Sequence, residues 1–87
     1  MGIEVREFKD GEYLIWDRYN CEPVNWESLF IDEGEIRRYL EKQPFPDDKE
    51  YTRKDLLRDL NATGSITLRC EKGETAAFIA EMIYNLI

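Results

Sequence analysis

The chain reads as an α+β domain: a small antiparallel sheet, built from an N-terminal hairpin plus a strand near residues 65–70, with about three helices packed on one face. Three observations predict it. Asp10-Gly11 lies between two β-prone segments, Ile3 to Phe8 and Glu12 to Tyr19. Two helix starts share one design, at Asp32 and at Thr52. The C-terminal stretch repeats apolar residues at helical spacing after a short run of β-formers.

The hairpin rests on turn chemistry, because both residues of Asp-Gly tolerate the positive φ that a two-residue loop demands. With such a loop Val5 faces Trp16, Arg6 faces Ile15, Glu7 faces Leu14 and Phe8 faces Tyr13. One face then collects Ile3, Val5, Leu14 and Trp16, which is the expected core face, and the other carries Phe8, Tyr13 and Ile15 among charges. The same register sets Glu4 opposite Asp17, and directly opposed like charges are mildly destabilising. Either a bulge shifts the register, the simpler resolution, or the acidic pair serves a partner.

Residues 20–31 leave two alternatives open. Pro23 interrupts what precedes it, and Asn25 is placed to cap a short helix holding Trp26, Leu29 and Phe30. A third strand from Trp26 to Ile31 fits nearly as well.

Asp32 then stands as N-cap with Glu35 at the third helical position and Ile31 able to staple against Ile36. Thr52 and Asp55, flanked by Tyr51 and Leu56, repeat the arrangement. The first helix presents Ile36, Tyr39 and Leu40 and stops before Pro44; the second presents Leu56, Leu57 and Leu60 and yields to the turn from Asn61 to Gly64. Ser65 to Cys70 is a strand with Ile66 and Leu68 on one face. A last helix opens at Gly73 or Thr75 and carries Ala76, Ile79, Ala80, Ile83, Leu86 and Ile87 as an apolar stripe widened by Phe78 and Met82.

With 87 residues, 43% of them apolar, the chain makes one compact domain over residues 1–87 with enough apolar material for a core. Its N-terminus alternates apolar and charged residues instead of showing a signal peptide's uninterrupted apolar run, and no stretch has the length of a membrane span. A cytoplasmic location is the expectation.

Catalytic signatures are missing from the sequence. There is no histidine, so the commonest general base and the usual partner of a Ser or Cys nucleophile are lacking, and no glycine loop is spaced to cradle phosphate. Cys21 and Cys70 are too far apart for a zinc or redox motif and read as reduced, partly buried thiols. Asp32, Glu33 and Glu35 are explained by capping, and Asp47, Asp48 and Glu50 read as an ordinary acidic turn; neither follows a calcium-loop spacing. The sequence therefore implies no enzyme, no cofactor and no metal site.

Charge is the remaining signal. Of the 19 acids and 12 bases, residues 1–35 hold ten acids and three bases, which accounts for the whole formal charge of −7. Acids intersperse the basic residues of both central helices, so no face carries the unneutralised cations that nucleic acid requires, and direct nucleic-acid binding is not expected. An acidic front that also holds Tyr13, Trp16, Tyr19 and Trp26 suits a basic protein surface, since aromatics bury area and carboxylates meet Arg and Lys. The expected function is a non-enzymatic protein-binding module that docks on or inhibits a basic partner, such as a nucleic-acid-handling enzyme. Glu4, Glu12, Tyr13, Asp17 and Tyr19 are its candidate partner-binding residues, with Glu4, Glu12 and Asp17 expected at exposed positions. The alternative is an accessory subunit or homo-oligomer that uses the apolar C-terminal helix as its interface.

Overall fold

The computed structural model describes residues 2–87 and shows an α+β fold in which a small antiparallel sheet of four strands is combined with three helices. Strand β1 (Ile3–Lys9) turns through Asp10-Gly11 into β2 (Glu12–Asp17); β3 (Glu22–Pro23) and a 3-10 turn (Trp26–Ser28) follow. Helices α1 (Glu33–Lys42) and α2 (Arg53–Asp59) precede β4 (Thr67–Arg69) and the terminal helix α3 (Gly73–Leu86).

Strand β2 is the centre of the sheet. It pairs with β1 along one edge, while β3 and β4 share the other, β4 against residues 12–14 and β3 against residues 16–17. Between them the backbone closes a three-way junction: Ile15 N–H donates to Ile66 O at 3.1 Å, Ile66 N–H to Val24 O at 2.8 Å, and Val24 N–H to Ile15 O at 2.9 Å. Beyond the junction an Asn25–Ser65 bridge continues the pairing. Of the two alternatives for residues 20–31, the strand from Trp26 to Ile31 does not form; Asn25 instead precedes a single 3-10 turn without a side-chain cap bond, a short strand lies upstream at Glu22–Pro23, and Trp26 and Leu29 are buried with Phe30 left outside.

The hairpin forms at Asp10-Gly11, but only Gly11 takes a positive φ, +77°, while Asp10 does not, as in a turn followed by a bulge and not in the two-residue loop. Its register differs from the simple one. An irregularity between Glu7 and Lys9 places Phe8 in a bulge, so that Glu4 faces Trp16, Val5 faces Ile15 and Glu7 faces Tyr13. A one-residue slip exchanges the two faces of a strand. The core face therefore carries Ile3, Val5, Tyr13 and Ile15, and the expected core positions Leu14 and Trp16 turn outward. The slip also removes the Glu4–Asp17 opposition, and the Arg6 guanidinium lies over the Trp16 ring, 4.1 Å from its centroid.

Both capping boxes form. Asp32 and Thr52 accept from the amides of Glu35 and Asp55, whose side chains accept in return from the cap amides. Inner-face Ile3, Ile15, Ile66 and Leu68 share one core with Ile36 and Leu40 of α1, Leu56 of α2, and Ile79, Met82 and Ile83 of α3, so all three helices contribute to the same side of the sheet. Tyr39, Phe45 and Phe78 join α1 and the following linker to α3 through edge-to-face ring pairs at 5.8 and 5.5 Å. Ile87, expected in the apolar stripe, is 65% exposed because the helix ends at Leu86, beyond the core.

Helix α3 has no cap from its own preceding residue, Lys72. Asp48, distant in sequence and only 6% exposed, replaces it. Its carboxylate accepts from Lys72 N–H at 3.0 Å, Thr75 Oγ1 at 2.7 Å and Glu71 N–H at 3.0 Å, and also from the amides of Glu50 at 2.8 Å and Tyr51 at 3.0 Å. Burial by itself would raise the carboxyl pKa, but these donors together hold it far below the usual carboxylate range. The acidic turn is therefore no solvated loop at Asp48; it clamps the start of α2 to the start of α3.

Three outcomes follow from this packing. Cross-strand NOEs should join Val5 with Ile15 and not Val5 with Trp16. Ile83→Ala should cost about 2–5 kcal/mol in urea unfolding through lost burial and a cavity. Because Asp48 has a depressed folded pKa, its contribution is complete above about pH 5, begins to fall as pH drops through about 3.9, the unfolded value, and is lost fully only as pH falls through the much lower folded pKa. Asp48→Ala should thus lower stability at pH 7 by on the order of 3 kcal/mol, through orphaned buried donors, and should flatten the acid limb of the stability curve.

Candidate functional site

The five sequence-derived candidates separate into two groups. Glu12 and Tyr13 sit near the hairpin end of β2. Glu12 is paired with Arg69 at 3.0 Å across the β2–β4 ladder, and Tyr13 turns inward, its hydroxyl beside Gly73 at the start of α3. Burial, with Glu7 next to it, raises the Tyr13 phenol pKa. Glu4, Asp17 and Tyr19 gather at the other end, along the seam where β1, the β2–β3 turn and the end of α3 meet. Of the five, Tyr19 is exposed and Tyr13 half-buried; Glu4, Glu12 and Asp17 are also half-buried, not the exposed positions expected of them.

Asp17 is already engaged within the chain. It accepts from the Tyr19 amide at 2.9 Å, the Asn20 amide at 3.2 Å and Asn20 Nδ2 at 2.8 Å, and these bonds, led by the Asn20 side chain, lower its pKa. The carboxylate organises the turn into β3, in which Cys21 adopts a positive φ of 54°. The turn presents Tyr19, 82% exposed, with its ring against Gly2, where a Cβ would come within 2.3 Å of the ring. Only glycine allows that approach while the ring stays in place.

The seam holds two adjoining depressions that share Ile3 and Tyr84. The first, about 290 Å³, lies between Tyr19, Val24 and Leu29 on one side and Tyr84 and Ile87 on the other. The second, about 530 Å³, is a groove between β1 and α3, floored by Val5, Ala77 and Ala80 and flanked by Glu4 and Glu81. Neither is lined by a lysine or arginine; their charged groups are Glu4, Asp17 and Glu81. Glu4 does have a cation nearby, Arg6 at 2.9 Å, but this solvent-accessible pair is weak.

Glu81, Tyr84 and Ile87 were not foreseen as part of a site with Glu4 and Tyr19. Tyr84 is 50% and Ile87 65% exposed, and in sequence they look like the continuation of a buried stripe. Phe30 is a further unforeseen feature: it is 92% exposed with a φ of 56°, an uncommon backbone state for a bulky residue.

Reactive chemistry is sparse. Cys70 is buried, and desolvation followed by the charge of Asp48 pushes its thiol up to about 12, away from nucleophilic character. Cys21 is free and exposed, not partly buried as its sequence context suggested. Burial, then the Asp59 carboxylate that accepts from its hydroxyl at 2.9 Å, raises the Tyr51 pKa far above its ordinary value. Among the described residues no group of three or more Cys, Asp or Glu is arranged to hold a metal ion, and no helix is long and apolar enough to cross a membrane. No protein-family model matches the chain, and no match was found among curated proteins or solved structures.

The Gly2–Tyr19 approach can be checked directly. Gly2→Ala should displace the Tyr19 ring, abolishing its NOEs to residue 2, while thermal stability changes little because the ring is largely in solvent. Persistence of those NOEs would show that the ring is not seated on Gly2.

Proposed function

We propose that the protein is a non-enzymatic binding module that docks on, and by covering it inhibits, a basic surface of a partner protein, for which a nucleic-acid-handling enzyme is a fitting example. The observation that carries this reading is the seam between β1 and α3: apolar and aromatic at its floor and walls, with carboxylates the only charged side chains lining it among the described residues. Exposed aromatics beside acids match the anchors and the electrostatic complement that basic partners meet. The formal charge of −7 adds long-range attraction for such a partner. Free Cys21 and Cys70 fit a reducing, cytoplasmic setting.

A second reading has one specific observation behind it. Exposed Tyr84 and Ile87 at the end of α3 could join copies of the chain into a homo-oligomer. Two molecules of charge −7 repel at that same seam, which favours the basic partner.

The test uses charge reversal at positions that have no partner within the fold's core. Glu4→Lys combined with Glu81→Lys should slow association with a partner isolated from the native cell by about tenfold or more, with native thermal stability, and wild-type association should slow as salt rises. Glu12 and Asp17 are unsuitable for this purpose, since Arg69 and the β2–β3 turn depend on them. Equal rates for the two proteins at every salt concentration would move the interaction to the uncharged end of α3.

A further inference from the structure

Strand β1 is an edge strand. Among the described residues its one strand partner is β2, and the alternation of the ladder decides which of its backbone groups are unused. Gly2 O accepts from Arg18 N–H at 2.7 Å, so residues in phase with Gly2, namely Glu4 and Arg6, aim their amides and carbonyls at β2. Ile15, opposite Val5, directs its own amide and carbonyl away from β1, to Ile66 and Val24. Ile3 and Val5 therefore present N–H and C=O to the free edge, and this edge is one wall of the groove lined by Ala77, Ala80, Glu81 and Tyr84.

Proteins commonly blunt open edges with bulges, lysines or prolines. Here the bulge at Phe8 and Lys9 protect only the hairpin end of β1, and the stretch from Ile3 to Glu7 keeps a regular register. Building on the binding-module reading, we propose that this stretch is a strand-addition site: an extended, basic segment of the partner pairs with Ile3 and Val5. Its apolar side chains lie over Ala77, Ala80 and Tyr84, and its Lys or Arg side chains meet Glu4 and Glu81. Main-chain bonds supply the adhesion in such complexes, and alternating side chains supply the specificity.

A second copy of the chain is the competing occupant. Antiparallel self-pairing centred on Val5 would set Glu4 against Arg6 of the other copy, a favourable match. It would also bring two Glu81 side chains and two strongly acidic molecules to a groove that no lysine or arginine lines among the described residues. Charge complementarity selects a basic foreign segment.

The experiment titrates the full-length, isotope-labelled protein with a capped heptapeptide of alternating lysine and valine, matched to the 7 residues of β1. A lysine–proline peptide of equal charge, unable to form a strand, is the control. Expected are amide shifts confined to residues 3–7 and 77–85, hydrogen exchange at the Val5 amide slowed by about tenfold on saturation, and control binding about tenfold weaker. Val5→Pro removes an outward-facing donor that the fold does not use, as edge positions tolerate, and should weaken the lysine–valine peptide by about tenfold. Should that variant lose its native melting transition, Glu4→Lys/Glu81→Lys and the exchange measurement decide in its place. Equal affinity for both peptides, or shifts centred on Asp10 and Glu12, would overturn strand addition while leaving acidic docking intact. Absence of shifts with either peptide would overturn both. Dimerisation of the free protein that Val5→Pro abolishes would assign the edge to a second copy.

Discussion

Ile15 divides its backbone between two segments from distant parts of the chain, accepting from Val24 and donating to Ile66, and this closed three-way junction sets the plan of the molecule. Because β3 and β4 both take the same edge of β2, β1 has only one strand neighbour among the described residues. The junction also requires Ile15 to lie in the core, where it is fully buried with Ile66. The bulge at Phe8 is the adjustment that lets β1 pair in that register, with Val5 opposite Ile15 and both on the inner face. The outward turn of half-buried Trp16, its stacking under Arg6 and the open edge of β1 all descend from this single arrangement.

The second organising element is electrostatic. A carboxylate near a helix N-terminus is favourable, and a buried one is tolerated when several donors converge on it. Asp48 meets both conditions, which explains how α3 begins at Lys72-Gly73 without a local cap. Holding α3 at that end fixes its course across β1 and β2, and so brings Ala77, Ala80, Glu81 and Tyr84 alongside the free edge. The residue that shapes the groove lies outside it.

The two functional readings derived from charge and from the apolar terminal helix meet at one place. Glu4, Asp17 and Tyr19 from the acidic front face Tyr84 and Ile87 from the end of α3 across the same seam. At the hairpin end the acids are differently used: Glu12 is paired with Arg69, and Glu50 approaches the same guanidinium at 3.9 Å. The acidic surface is thus unevenly available: at the seam Asp17 is held by its own turn and Glu4 by a weak pair with Arg6, and Glu81 borders the apolar area alongside them.

Local physics made much of the fold legible. Asp10-Gly11 specified the hairpin, Asp32 with Glu35 and Thr52 with Asp55 specified two helix starts, and Ile66 and Leu68 marked the buried face of β4, because each depends on residues a few positions apart. The excess of acids in residues 1–35 was equally plain. Tertiary structure alone decided the rest. Whether Trp16 or Ile15 enters the core depended on a bulge required by a junction with residues 24 and 66. Asp48 looked like a turn acid because three of its donors, at residues 71, 72 and 75, are far along the chain. The seam could not be read in advance for the same reason: its walls come from opposite ends of the sequence, and only packing against the common core sets Glu4 and Glu81 along one groove.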